Sequence, residues 1–291
     1  MKHVFAAYHP LVNFAFFSLV LLFSMCWLHP ASIAVSLAGA LACSVSLRGW
    51  EAVKSSLRLL LPMALLAAVI NPAFNHAGVT ILTYLPSGNP LTLESILYGA
   101  ASAGMLAAVI LWFSCVTCVM TSDKWVYLFG RILPALSLVL SMALRFVPRF
   151  CRQFQIVRES RRAAGSEKKG RIRELAAVFS ILVAWSLEDA IETADSMKGR
   201  GYGLPGRTAF SIYRLDGRDR AALWWLGFCA LYLGSGWALG GLSWRYYPKC
   251  KGAPITAFTG SFFLVYLALC LTPVILQRRE ERIWRSLRSK I

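Results

Sequence analysis

The sequence predicts an all-α integral membrane protein with about six transmembrane helices and a cytoplasmic region of two long amphipathic helices. Three observations lead there. Of the 291 residues, 57% are hydrophobic and 15% charged, whereas soluble domains are nearer half apolar and a quarter charged. The apolar residues gather in runs long enough to cross a bilayer. The Lys and Arg that make the net charge +17 concentrate between Arg145 and Arg220, where sixteen of them lie.

About twenty apolar helical residues cross a ~30 Å hydrocarbon core. Six runs qualify: Leu11–Leu28, Ala31–Leu47, Leu57–Phe74, Leu93–Met120, Ala221–Leu242 and Ala253–Leu276. The first follows Lys2 as a signal peptide would. It is longer than a usual h-region and lacks a small-x-small cleavage site, so it reads as a retained span. Only His29-Pro30 separates it from the second. In the fourth, Gly99, Ala100, Ala101, Ala103, Gly104, Ala107 and Ala108 predict close approach of a neighbouring helix. Before it, Thr80–Leu85 predicts a short hairpin strand ahead of Pro86–Asn89, and His76 reads as an interfacial residue.

Charge sets the topology. With the N-terminus inside, 28 of the 31 Lys and Arg are cytoplasmic, and only Arg245, Lys249 and Lys251 are outside, a one-sided case of the positive-inside rule. A seventh span at Leu133–Val147 would export the basic stretch. That segment is therefore expected to enter and leave on the cytoplasmic side or to lie along it, punctuated by Pro134 and Pro148. Three regions follow: 1–132 with four spans, 133–220 in the cytoplasm, and 221–291 with two spans and a basic tail. Because the positive charge sits in loops beside spans, it does not indicate a nucleic-acid partner. The cysteines lie mostly in apolar runs, where they act as small hydrophobes. The lone Cys115-x-x-Cys118 predicts neither a zinc site nor a disulfide framework.

Two helices are readable in the basic stretch. The first runs from about Pro148 to Ala163, with Val147, Phe150, Cys151, Phe154 and Val157 on one stripe. Arg149, Arg152, Arg161 and Arg162 decorate its other side, and Gly165 is its stop. The second runs from about Ile172 to Met197, with Leu175, Val178, Phe179, Leu182, Leu187 and Ile191 on its apolar face. Its densest apolar part, 175–185, covers only about 16 Å, too short to cross. Such a pair suits either the membrane surface or a groove on a partner protein. Gly199-Arg200-Gly201 favours the partner, because glycines free the backbone past a helix end and an Arg placed there can grip a carboxylate bidentately. Glu188, Asp189, Glu192 and Asp195 allow either Mg²⁺ binding or a solvated face paired with nearby Arg. The lack of a second Asp-rich motif, and of any His in the region, favours the latter. No metal site and no cofactor is expected.

Three elements then resemble a known family, the transmembrane T component of energy-coupling factor (ECF) transporters. Leu144-Arg145-Phe146-Val147-Pro148 is similar to the Arg-Phe-Ile-Pro element that opens the family's coupling region. Arg162-Ala163-Ala164-Gly165 sits where the first Ala-Arg-Gly-like motif belongs. Ser196-Met197-Lys198-Gly199-Arg200-Gly201-Tyr202-Gly203 is similar to the second and is the most specific. The chain departs at Ala164, where the family has Arg (Arg161 or Arg162, one turn away, being the substitute), and at Gly199, where Ala is common.

The resemblance implies a non-catalytic subunit of an ABC-type importer in a bacterial or archaeal plasma membrane, with both termini cytoplasmic. Its partners would be two cytoplasmic ABC ATPases, a small membrane S component that captures a vitamin or a transition-metal ion (cobalt or cobalamin-like), and the lipid bilayer. It implies ATPase-coupling roles for Arg161, Arg162, Gly165, Ser196, Met197, Arg200, Gly201 and Tyr202, with Arg145 and Pro148 opening the coupling region. The chain has no Walker A pattern or other nucleotide fingerprint, so ATP hydrolysis is assigned to the partners. The alternative is a membrane enzyme acting on lipid-linked phosphates through the acidic helix. An autonomous carrier is disfavoured, because no span carries a central ionisable residue or a clear internal repeat. The cargo is not written in this sequence.

Overall fold

The structure, a computed structural model, describes residues 4–84, 90–130, 133–165, 170–205, 213–252 and 256–288. Its helices are α1 (Pro10–Cys26), α2 (Pro30–Arg48), α3 (Trp50–Phe74), α4 (Leu93–Val119), α5 (Ser122–Gly130), α6 (Pro134–Ala163), α7 (Arg171–Gly199), α8 (Gly217–Ala238) and α9 (Ala257–Arg288). Strand β1 (Ile81–Tyr84) pairs antiparallel with β2 (Pro90–Thr92), and β3 (Trp244–Arg245) with β4 (Lys251–Gly252). The expected all-α class is observed, and β1 is the strand expected at 80–85; the turn at Pro86–Asn89 lies outside the described residues, as do Lys168, Lys169 and Arg207 of the basic stretch. Two compact units emerge, Met1–Thr121 with Tyr213–Ile291, and Ser122–Ile212.

The first unit is membrane-embedded. Five of its helices are long and apolar enough to cross a bilayer: α2, α3 over Val53–Phe74, α4, α8, and α9 over Ala257–Arg279. The expected first span is the apolar helix α1, whose 17 residues cover about 25 Å. α1 and α2 begin alike. Pro10 and Pro30 open them, where a missing amide costs nothing. The preceding histidine caps each helix, Nδ1 of His9 accepting from the Leu11 amide at 3.2 Å and that of His29 from the Ala31 amide at 3.1 Å. Burial lowers both imidazole pKa values from 6.5, with Asp219 opposing this at His9. The neutral ring is the form that can accept. α8 begins with a reciprocal Asp216–Asp219 capping box, and Asp219 also accepts the His9 amide at 3.2 Å.

Steric fit holds this unit together. α2 packs on α4 and α9, and α3 packs on α4. α2 buries Ser32, Ser36, Gly39, Ala40, Cys43 and Ser44, small residues at three- and four-residue spacing that let helices close in. A Cβ on Gly39 would lie 2.5 Å from that of Cys270 on α9, and one on Gly99 would lie 2.6 Å from the Ala68 carbonyl oxygen on α3. The close approach expected of the small residues in α4 is thus found at Gly99. Inside, Trp112 Nε1 donates to Ser36 Oγ at 3.1 Å and Ser36 donates to Ser24 Oγ at 2.9 Å, so these hydroxyls need no water. α3 is the outlying helix, with 6% of its span buried within the chain against 39% for α4.

Candidate functional site

The second unit consists of α5, α6 and α7. Here the structure corrects one expectation. The first amphipathic helix does not start near Pro148; α6 runs unbroken from Pro134 to Ala163 with Pro148 in its interior. Proline there offers no amide to the Leu144 carbonyl. The apolar stripe continues across it, however: Phe146 lies 5.7 Å from Phe150 and stacks on Trp185 of α7 at 5.8 Å. Aromatic contacts on both sides of the proline hold one axis. Arg145 and Pro148, expected to open the coupling region, therefore sit mid-helix and exposed.

α6 and α7 pack antiparallel. Val157, Val178 and Leu182 form a buried cluster, with Phe150 and Phe154 packed on it. Further along, Arg149 bonds Asp189 at 2.6 Å, with 61% of the Arg and 10% of the Asp side chain exposed. The same guanidinium lies over the Trp185 ring, 5.6 Å from its centroid. Thus one cation clamps the two helices by charge and by its π contact. The sequence marked Arg149 only as decoration; no local pattern announces a partner forty residues on. Among the other acids of the α7 face, Asp195 stands 4.0 Å from Lys198, and Glu188 and Glu192 are exposed. Among the described residues, no group of three or more His, Cys, Asp and Glu is gathered as a metal site needs.

The motif residues occupy the two helix ends. At the close of α7, Gly201 has φ +78°. The Gly201 amide donates to the Lys198 carbonyl at 2.9 Å, and the Tyr202 amide to that of Met197 at 3.0 Å. These two bonds define a Schellman cap. Arg200 is the cap residue, exposed, its amide donating back to the Ser196 and Met197 carbonyls. Ser196 is exposed, Met197 half-buried, and Tyr202 45% exposed. The close of α6 shares one of these bonds: Gly165 has φ +71° and its amide donates to the Arg162 carbonyl at 3.0 Å. Arg161 is half-buried there and Arg162 exposed. Each end thus presents arginine on the last turn, just ahead of a left-handed glycine that satisfies the last carbonyls.

The structure brings each motif together locally but keeps the two apart. Because the helices are antiparallel, the end of α6 lies toward the start of α7. Arg200 then lies the full length of α7 away, on the order of 40 Å for its 29 residues. Between the tips runs an open apolar groove of about 490 Å³ lined by Phe150, Phe154, Ile172, Leu175, Phe179 and Leu182. Ile172 is 85% and Phe179 64% exposed. The hairpin thus offers two cationic tips with an apolar face between them. In comparison with known proteins, no family model matches the chain and no curated protein matches it.

Proposed function

We propose that the chain is the transmembrane coupling (T) subunit of an ECF-type ABC importer. It crosses the membrane six times with both termini in the cytoplasm, α1 being accommodated by slight bilayer thinning. The hairpin α6–α7 is its coupling region and engages two cytoplasmic ATPases, one at each arginine-bearing tip. Closure of the ATPases on ATP moves the hairpin. The connections at 121–122 and 212–213 pass that motion to the membrane unit, on which an S component carrying a vitamin or transition-metal ion rests.

What supports this most is the pair of like-built helix ends. Two separate arginine tips on one hairpin suit two copies of one kind of acidic groove, whereas a helix lying on headgroups needs no such capped ends. The guanidinium fork of Arg200 supplies the bidentate contact.

The test is co-purification and uptake with Arg200→Glu. The variant is expected to insert and fold as the parent does, to lose at least one ATPase on purification, and to lose ATP-driven uptake. Retention of both ATPases with normal uptake would refute the docking role. Recovery of the wild-type chain with no ATPase at all would refute the family assignment.

A further inference from the structure

On the α8–α9 connection, Arg245, Lys249 and Lys251 line one pocket of about 270 Å³ together with Tyr247, Val79 and Pro248. These are the three basic residues that the charge pattern leaves on the side opposite the coupling region. From this we infer that the pocket binds a phosphate-class oxyanion, distinct from anything the ATPase reading requires.

Four observations carry the inference. First, the β3–β4 ribbon sets Arg245 directly opposite Lys251, and like charges at facing positions destabilise a pair of strands. Second, among the described residues none of the three cations has a carboxylate within ion-pair distance. The acid felt electrostatically at Tyr247 and Cys250, Glu94, is taken by the Thr80 amide and hydroxyl. Third, the loop is anchored. Tyr246 donates to the Leu28 carbonyl at 2.7 Å, Tyr247 donates to Asn71 Oδ1 at 3.4 Å and accepts from Asn75 Nδ2 at 3.1 Å, and the Trp244 ring covers Gly252. The backbone that carries the three exposed cations is therefore anchored. Fourth, the walls offer an apolar side at Val79 and Pro248, and the volume exceeds that of a bare phosphate, leaving room for an ester. A guanidinium fork and two ammonium groups match the oxygens of a phosphate mono- or diester, and such an anion offsets the repulsion that the ribbon otherwise bears.

The anion has two sources, a lipid headgroup or dissolved phosphate. Hydrogen exchange of segment 243–252, read in the full chain in nanodiscs, separates them. In neutral phosphatidylcholine nanodiscs, protection on adding inorganic phosphate points to a soluble anion. Protection only in phosphatidylglycerol nanodiscs points to a headgroup. Either supports the inference. The double variant Arg245→Gln/Lys251→Gln, which removes the facing charges, is expected to exchange no faster than wild type without ligand and to lose ligand protection roughly tenfold. Lys249→Gln, which leaves the ribbon pair intact, is expected to weaken protection less. The inference fails if neither phosphate nor phosphatidylglycerol slows exchange in the wild type, or if the double variant is protected equally.

Discussion

The membrane unit encloses its contacts, whereas the hairpin α6–α7 displays them. In the first, α2, α4 and α9 approach until a single added methyl has no place to go. In the second, three residues make up the buried cluster, and apolar side chains such as Leu187 and Ile191, 62% and 65% exposed, stand outside it. Exposed apolar surface on α3 is explained by hydrocarbon. On the proposed topology the hairpin does not span hydrocarbon, and the proposed ATPase contact is what would cover its apolar face. One region is thus stable through its own packing, while under the proposed function the other gains stability from its partner by mass action.

The same one-methyl change should act with opposite sign in the two regions. Gly39→Ala places a Cβ 2.5 Å from that of Cys270, while Gly199 has no side-chain or distant atom within 4 Å of the added group. Gly39→Ala is expected to cost about 3 kcal/mol of stability, the upper end for an overpacked site that cannot give. Gly199→Ala, at the last turn of a helix, is expected to gain about 0.5 kcal/mol from reduced backbone freedom. Thermal unfolding of the purified chain in detergent, followed by monodispersity, measures both. Equal tolerance of both variants would mean that the membrane unit is not sterically limited at α2.

The hairpin carries a polar clamp, Arg149–Asp189, whose two halves differ. Removing Arg149 strands a carboxylate that is mostly buried; removing the charge of Asp189 leaves an arginine already in water. Arg149→Ala should therefore destabilise the α6–α7 pairing by about 2 kcal/mol, and Asp189→Asn by less than about 1 kcal/mol. Protease cutting in 134–199 reads the difference. Equal effects would show that the pair is a solvated contact without a buried member.

Gly201→Ala probes the tip. Holding a side chain at φ +78° costs about 1 kcal/mol. That should fray the Schellman turn and lower ATPase retention several-fold while leaving membrane insertion unchanged. Unchanged retention would remove the cap from the docking argument.

The spans were legible in the sequence because hydrocarbon imposes a length and a polarity that each segment must meet alone. α2 and α4 accordingly start within one residue of the expected positions, whereas α3 starts at Trp50, seven residues before the expected Leu57. The C-terminal glycine stops at 165 and 199–201 were legible for the same reason, being local. Pro148 misled, because a proline's own preference is for the first turn of a helix and not its interior. Its neighbours Phe146 and Phe150 hold it inside one through contacts that only the folded pair supplies. The Arg149–Asp189 clamp and the Asp216–Asp219 box, with its long reach to the His9 amide, were not read. The clamp and the His9 bond join residues far apart in sequence, and no periodicity encodes such a meeting.

The smallest expected effect separates the units by pH. The chain's histidines are at 3, 9, 29 and 76, so 122–212 has none. The pKa of His29 in the folded chain is lowered by burial from 6.5. Its unfolded form therefore takes up a proton first as the pH falls. Below about 6.5 the unfolded state binds more protons than the folded one, so stability drops toward the folded pKa and is flat above 6.5. Protonation also removes the acceptor that caps α2. His29→Asn keeps a capping oxygen and deletes the titration. The wild-type minus variant difference in melting temperature should be near zero above pH 7 and turn negative by a few degrees on acidification, while protease sensitivity of 134–199 shows no such difference. A difference curve flat across that range would mean that the His29 cap contributes nothing that a neutral amide does not.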